Sequence, residues 1–157
     1  MSRKSRIGRV AKQQAITEPQ QLTDRELRIL GIAERKHFSE EEPHINLKYF
    51  DPSYECFSTW NQQELSAFSN LLRKLAESDW TSINNSGGKR GKKSGFGYTL
   101  HKSTVKLPCS NPRLSKLSPE INFSELRVTK KARIHGFRIK EAFFLVWLDR
   151  NHQICPE

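Results

Sequence analysis

Hydrophobic residues recur at helical spacing in one stretch of this chain and at strand spacing in another. From Trp60 to about Ser78, residues Trp60, Leu65, Phe68, Leu71, Leu72 and Leu75 fall three and four apart. That spacing puts them on one side of an α-helix, with Ser58 or Thr59 placed to cap its start. Farther on the period drops to two, and strands are expected over about 123–128, 132–138, 142–148 and 152–155. In the third of these, Phe144, Val146 and Leu148 fall on one side and Phe143, Leu145 and Trp147 on the other. Apolar side chains on both faces mark a central strand. Asp149-Arg150-Asn151-His152 then reads as a hairpin turn with Asn151 tolerating positive φ, and His152–Cys155 pairs back as an edge strand. Ile45 to Phe50 is a further short strand. The fold class predicted is α+β, a helix packed on a twisted antiparallel sheet.

The flanks read differently. Residues 1–20 are polar, basic and aperiodic, as a disordered arm would be. Thr23-Asp24-Arg25-Glu26 is a capping-box pattern opening a helix over about 24–36. Ser39 to Pro43 follows as an acidic linker, which divides the chain into 1–43 and a basic α+β domain at 44–157. Trp60 and Trp80, at the ends of the central helix, are expected as core anchors.

Alternation also assigns the polar residues of the strands. Leu126 and Val128 share one face, and Ile134 joins them from the next strand. Glu125, Arg127, Arg133 and His135 then stand together on the opposite face, expected to be exposed. Two guanidiniums, an imidazole and a carboxylate on a rigid sheet suit the grip of a phosphodiester and the movement of its proton. The competing interpretation is an ordinary solvated face, which antiparallel sheets often have.

Charge sharpens the choice of partner. The formal net charge is +10, with a pI near 9.8 and a mean hydropathy of −0.72. Residues 61–157 hold seventeen Lys and Arg against eight acids, whereas residues 21–60 hold five against eight. A polyanion is the expected partner: RNA, DNA or the ribosome. Between Asn84 and Tyr98 the chain carries Lys89, Arg90, Lys92 and Lys93 among five glycines. No P-loop spacing is present, and a basic loop wrapping a phosphate backbone is expected. Lys130, Lys131, Arg138 and Arg150 are further candidate phosphate contacts.

The three cysteines, Cys56, Cys109 and Cys155, form no CxxC pair. With no secretory h-region and no apolar run of membrane-spanning length, a cytoplasmic protein with free thiols and no membrane partner is expected. A zinc site from Cys56, Cys109, His152 and Cys155 lacks the paired-ligand spacing of structural sites. No metal and no cofactor is therefore expected.

The segments ELRV at Glu125–Val128, KARIHGFR at Lys131–Arg138 and FFLVWLDRNHQI at Phe143–Ile154 resemble the RelE/ParE toxin superfamily over about residues 60–157. Arg127, Arg133 and His152 match family positions. His135, the long 84–119 segment and the first sixty residues have no counterpart. The resemblance implies a toxin-like endoribonuclease that cleaves RNA, on the ribosome in one branch of the family. The step is metal-independent attack of a 2′-hydroxyl on the adjacent phosphate. It implies Arg127 and Arg133 on the phosphorane, His135 or His152 as general acid or base, and Glu125 as base or orienting group. An antitoxin or other protein partner is implied as well. The alternatives are a nucleic-acid-binding module without catalysis and a protein-binding inhibitor, resembling the gyrase-directed branch of the family or aimed at a phage or host factor.

Overall fold

The computed structural model describes residues 43–86, 95–108 and 111–156. The N-terminal arm, the 24–36 helix, most of the linker and the basic loop with Lys89, Arg90, Lys92 and Lys93 lie outside the described residues, as does Cys109. Within them are strands β1 (His44–Asn46), β2 (Thr99–Leu100), β3 (Phe123–Arg127), β4 (Arg133–Ile139) and β5 (Ala142–Asp149), and helices α1 (Gln62–Ala76) and α2 (Trp80–Asn85). The fold is mixed α and β, compatible with α+β. No helix among the described residues is long and apolar enough to cross a membrane.

Helix α1 starts later than expected. Its cap is Asn61, whose side chain accepts from the Glu64 amide at 2.9 Å while Glu64 accepts from the Asn61 amide at 2.8 Å. This reciprocal pair satisfies two amide donors near the helix start. Ser58 and Thr59 belong instead to a 3-10 turn, Phe57–Thr59. Phe68, Leu71 and Leu75 carry the buried stripe; Leu65 and Leu72 flank it in the open. Trp60 and Trp80 are buried in the same core, as core anchors should be, and the Trp80 indole donates to the Glu141 carbonyl at 2.9 Å.

The sheet has five strands in the order β1-β5-β4-β3-β2. The meander β2-β3-β4-β5 is antiparallel, but β1 joins β5 in parallel. The expectation of a wholly antiparallel sheet is corrected at that edge. β5 lies between β1 and β4, as its two apolar faces require.

A bulge resets the alternation along β5. Gly136 sits opposite Leu145, and His135 sits opposite Trp147, so Val146 is an extra residue. Gly136 is required here, because a Cβ would lie 1.9 Å from the Phe144 carbonyl oxygen. After the bulge Trp147 packs with Phe144 and Val146, while Leu148 packs with Phe143 and Leu145. Strict alternation had placed Trp147 and Leu148 the other way round. Asp149 is thereby carried to the face of Glu125 and His135.

Both sheet faces are covered. α1 and α2 close one. Val105, Leu107, Leu114, Leu117 and Ile121, from the irregular connection after β2, close the other over Phe137, Trp147 and Ile154. The stretch 152–155 is not an edge strand. Both carboxylate oxygens of Asp149 accept backbone amides, Gln153 and Ile154 at 2.8 Å each. They turn the chain back so that Ile154 fills the second core. The residue with positive φ is His152, at 56°, rather than Asn151.

Candidate functional site

Cross-strand register builds the site. Glu125 pairs with His135 and Arg127 with Arg133 across β3 and β4. Arg133 pairs with Asp149 across β4 and β5. Directly paired residues share a face, so the expected grouping of Glu125, Arg127, Arg133 and His135 is present. Its expected exposure is not. Glu125 is 7% exposed, Arg133 3% and His135 0%. The physical reason is the second layer over this face, which turns a surface patch into a buried polar cluster.

Burial forces these groups to satisfy one another. His135 Nε2 lies 3.2 Å from Asp149 Oδ2, and His135 Nδ1 lies 3.0 Å from His101 Nε2. Glu125 reaches three neighbours: Arg133 Nε at 3.6 Å, His152 Nε2 at 3.4 Å and His135 Nδ1 at 3.9 Å. The Arg133 guanidinium also donates to the carbonyls of Thr129, Lys130 and Ala132 at 3.0–3.3 Å, which locks the β3–β4 turn. Burial, reinforced by the electrostatic influence of the neighbouring His135 ring, pushes the His101 imidazole down to about 4. Burial raises Asp149, but the His135 hydrogen bond and the Gln153 and Ile154 amides outweigh it and hold its carboxyl below the usual range.

The cluster opens at one end of the sheet. A cleft of about 570 Å³ lies between α1 and the β3–β4 turn, lined among others by Lys74, Phe96, Arg127, Lys130, Lys131, Arg133 and His152. Arg127 is held over Gly97, where a Cβ would come within 3.0–3.2 Å of its side chain; Gly97 also has φ of 56°. The His152 side chain is 13% exposed. It is the imidazole of the cluster that lines the cleft, with Glu125 behind it.

Several expected site residues are placed elsewhere. Arg138 stacks over the Trp80 ring at 4.4 Å and donates to the Lys140 carbonyl. Arg150 clamps the end of β5 to the start of α1, donating to Glu64 at 2.7 Å and to the Thr59 carbonyl at 3.0 Å. Neither lines the cleft. Two members of the cluster, His101 and Asp149, escaped the sequence reading. His101 carries no local motif, and Asp149 falls in the expected hairpin turn because the bulge that redirects it does not show in the alternation.

Comparison with family models, curated proteins and solved structures gave no match.

Proposed function

We propose that this protein is a RelE-like endoribonuclease that binds RNA in the cationic cleft and cleaves it by 2′-hydroxyl transesterification. The observation that carries this reading is the Glu125–His152 pair, 3.4 Å apart, whose imidazole lines a cleft with Lys74, Arg127, Lys130 and Lys131. His152 takes the proton of the 2′-hydroxyl, the 2′-oxygen attacks phosphorus, and the 5′-oxygen leaves with a proton from water. An imidazole can accept a proton near neutral pH, and Glu125 orients it and stabilises the imidazolium. Arg127 neutralises the charge that grows on the phosphorane, while the lysines hold the flanking phosphates.

Burial changes the roles that the resemblance implied. Arg133 and His135 become positioning residues, because Arg133 is spent on Glu125 and three carbonyls and His135 has no exposed surface. The ribosome and an antitoxin-like partner rest on the family resemblance alone.

The test is incubation of the full chain with end-labelled RNA, with and without ribosomes. Products ending in a 2′,3′-cyclic phosphate and a 5′-hydroxyl are expected, with Arg127→Ala slower by about a hundredfold, as for loss of an oxyanion donor. Intact RNA in both arms, or an Arg127→Ala variant as fast as wild type, contradicts the proposal. Binding without cleavage would leave a nucleic-acid-binding module, and capture of one polypeptide with weak RNA affinity a protein-binding inhibitor.

A further inference from the structure

Behind the cleft, His101, His135 and Glu125 turn donor atoms toward one another. One ligand atom from each lies within 4.8 Å of the other two. Two imidazole nitrogens sit at 3.0 Å, and the nearer pairing of Glu125 with His135 is 3.9 Å. Around a tetrahedral ion with bonds of ~2.1 Å, ligand atoms stand about 3.4 Å apart; the two separations from His135 lie on either side of that value, and the third pair lies within 4.8 Å.

Proton accounting favours an ion over a bare hydrogen bond. The His135 ring offers Nε2–H to the Asp149 carboxylate at 3.2 Å, which leaves Nδ1 as a lone pair. His101 could then bond it only by donating from Nε2. His101 Nδ1 would remain an acceptor, whereas the backbone contact of His101 with Ser124 favours a protonated ring nitrogen; Glu125 Oε2 faces His152 Nε2 at 3.4 Å without a well-aligned hydrogen bond. Buried polar atoms matched this poorly point to a missing water or ion. A cation between the three residues uses the His135 and His101 lone pairs and the Glu125 carboxylate together. Asp149, braced by the Gln153 and Ile154 amides, is the outer carboxylate that fixes the tautomer of a ligating histidine.

The geometry points to a divalent transition-metal site, of the class that takes Zn²⁺, formed by His101, His135 and Glu125. Two nitrogen donors and one carboxylate oxygen disfavour Mg²⁺ and Ca²⁺, which prefer oxygen shells. Three protein ligands leave a fourth position for water. The ion ties the end of β2 and the layer that follows it to β3 and β4, and it fixes Glu125, which faces His152. This is a different ligand set from the cysteine-containing one considered on sequence, and it revises the expectation of no metal. It is independent of RNA cleavage.

The test uses the full chain, stripped with a chelator and dialysed. Calorimetric titration with ZnCl₂ should show one ion per chain, and stoichiometric Zn²⁺ should raise the melting midpoint. His44→Ala, which removes a histidine outside the cluster, should bind equally well. His101→Ala and Glu125→Gln should each bind at least tenfold more weakly, with circular dichroism confirming that they fold. No heat and no midpoint shift in wild type would overturn the site. So would equal Zn²⁺ affinity in a folded His101→Ala or Glu125→Gln variant, or an equal effect from Mg²⁺. The readouts are heat and melting, so failure of RNA cleavage leaves the site standing, and failure of the site leaves the cleavage proposal standing.

Discussion

The two faces of the sheet are closed by different chemistry. On the helical side, Phe68, Leu71 and Leu75 meet Phe143, Leu145 and Leu148, together with Trp60, Trp80, Leu126 and Ile134. That interior is apolar and tolerates rearrangement as long as volume is kept. The opposite side combines an aromatic core around Phe137 and Trp147 with Glu125, Arg133, His135 and Asp149, all buried. A polar interior of this kind is stable only while every member has its partner. The helical side thus sets the fold, and the opposite side sets the arrangement of charged groups that ends at His152 and the cleft.

The comparison can be broken first at its aromatic half. If the second face is a true core, Trp147→Ala should cost about 4 kcal/mol, as for other buried tryptophans. Denaturant unfolding measures it, and a loss below 1 kcal/mol would mean that this face is solvated after all. Next comes the buried charge. Arg133→Ala should destabilise by about 3 kcal/mol, because it leaves Glu125 short of a cation and frees three turn carbonyls. Arg127→Ala, at the cleft, should cost less stability and more RNA binding. A variant pair with the opposite ranking would reverse the roles assigned to the two arginines.

Asp149→Asn is a smaller change. It should cost about 2 kcal/mol, since an amide cannot accept from His135 and both backbone amides as a carboxylate does. An unchanged unfolding midpoint would show that the C-terminal turn does not depend on this side chain. Acid should weaken the chelator-treated protein for a related reason. In the fold His101 stays neutral down to about 4, whereas the unfolded chain gains that proton near 6.5. The unfolded state binds the extra proton between these values, so stability should fall as pH is lowered through that window. His101→Gln should remove this part of the slope, and an identical slope in the variant would contradict it. At the small end, Leu72→Gln on the outer flank of α1 should change stability by no more than about 0.5 kcal/mol.

How much of this could be read from sequence follows the same division. The apolar stripe of α1 and three strands, expected at about 123–128, 132–138 and 142–148 and observed at 123–127, 133–139 and 142–149, followed from periodicity, because on the helical side each side chain answers to one neighbouring layer. The polar grouping of Glu125, Arg127, Arg133 and His135 followed from alternation too. Its burial did not, because the covering layer is an irregular segment whose Val105, Leu107, Leu114, Leu117 and Ile121 have no regular spacing. The reversal at Trp147 and Leu148 was hidden by a single inserted residue, which moves every later side chain to the other face. Gly136 was the available sign, since a glycine within a strand marks a bulge or a close backbone approach. The parallel pairing of β1 depends on a contact between distant parts of the chain, which local pattern does not encode. His101 reaches the cluster in the same way.

The most direct test of the account is the single-turnover rate of RNA cleavage by wild type and by His152→Ala, with folding of the variant verified by its melting transition. The account predicts cleavage by wild type and a rate at least a hundredfold lower in the variant, since loss of a general base typically costs about 10²–10⁴. A folded His152→Ala protein that cuts RNA as fast as wild type would contradict it.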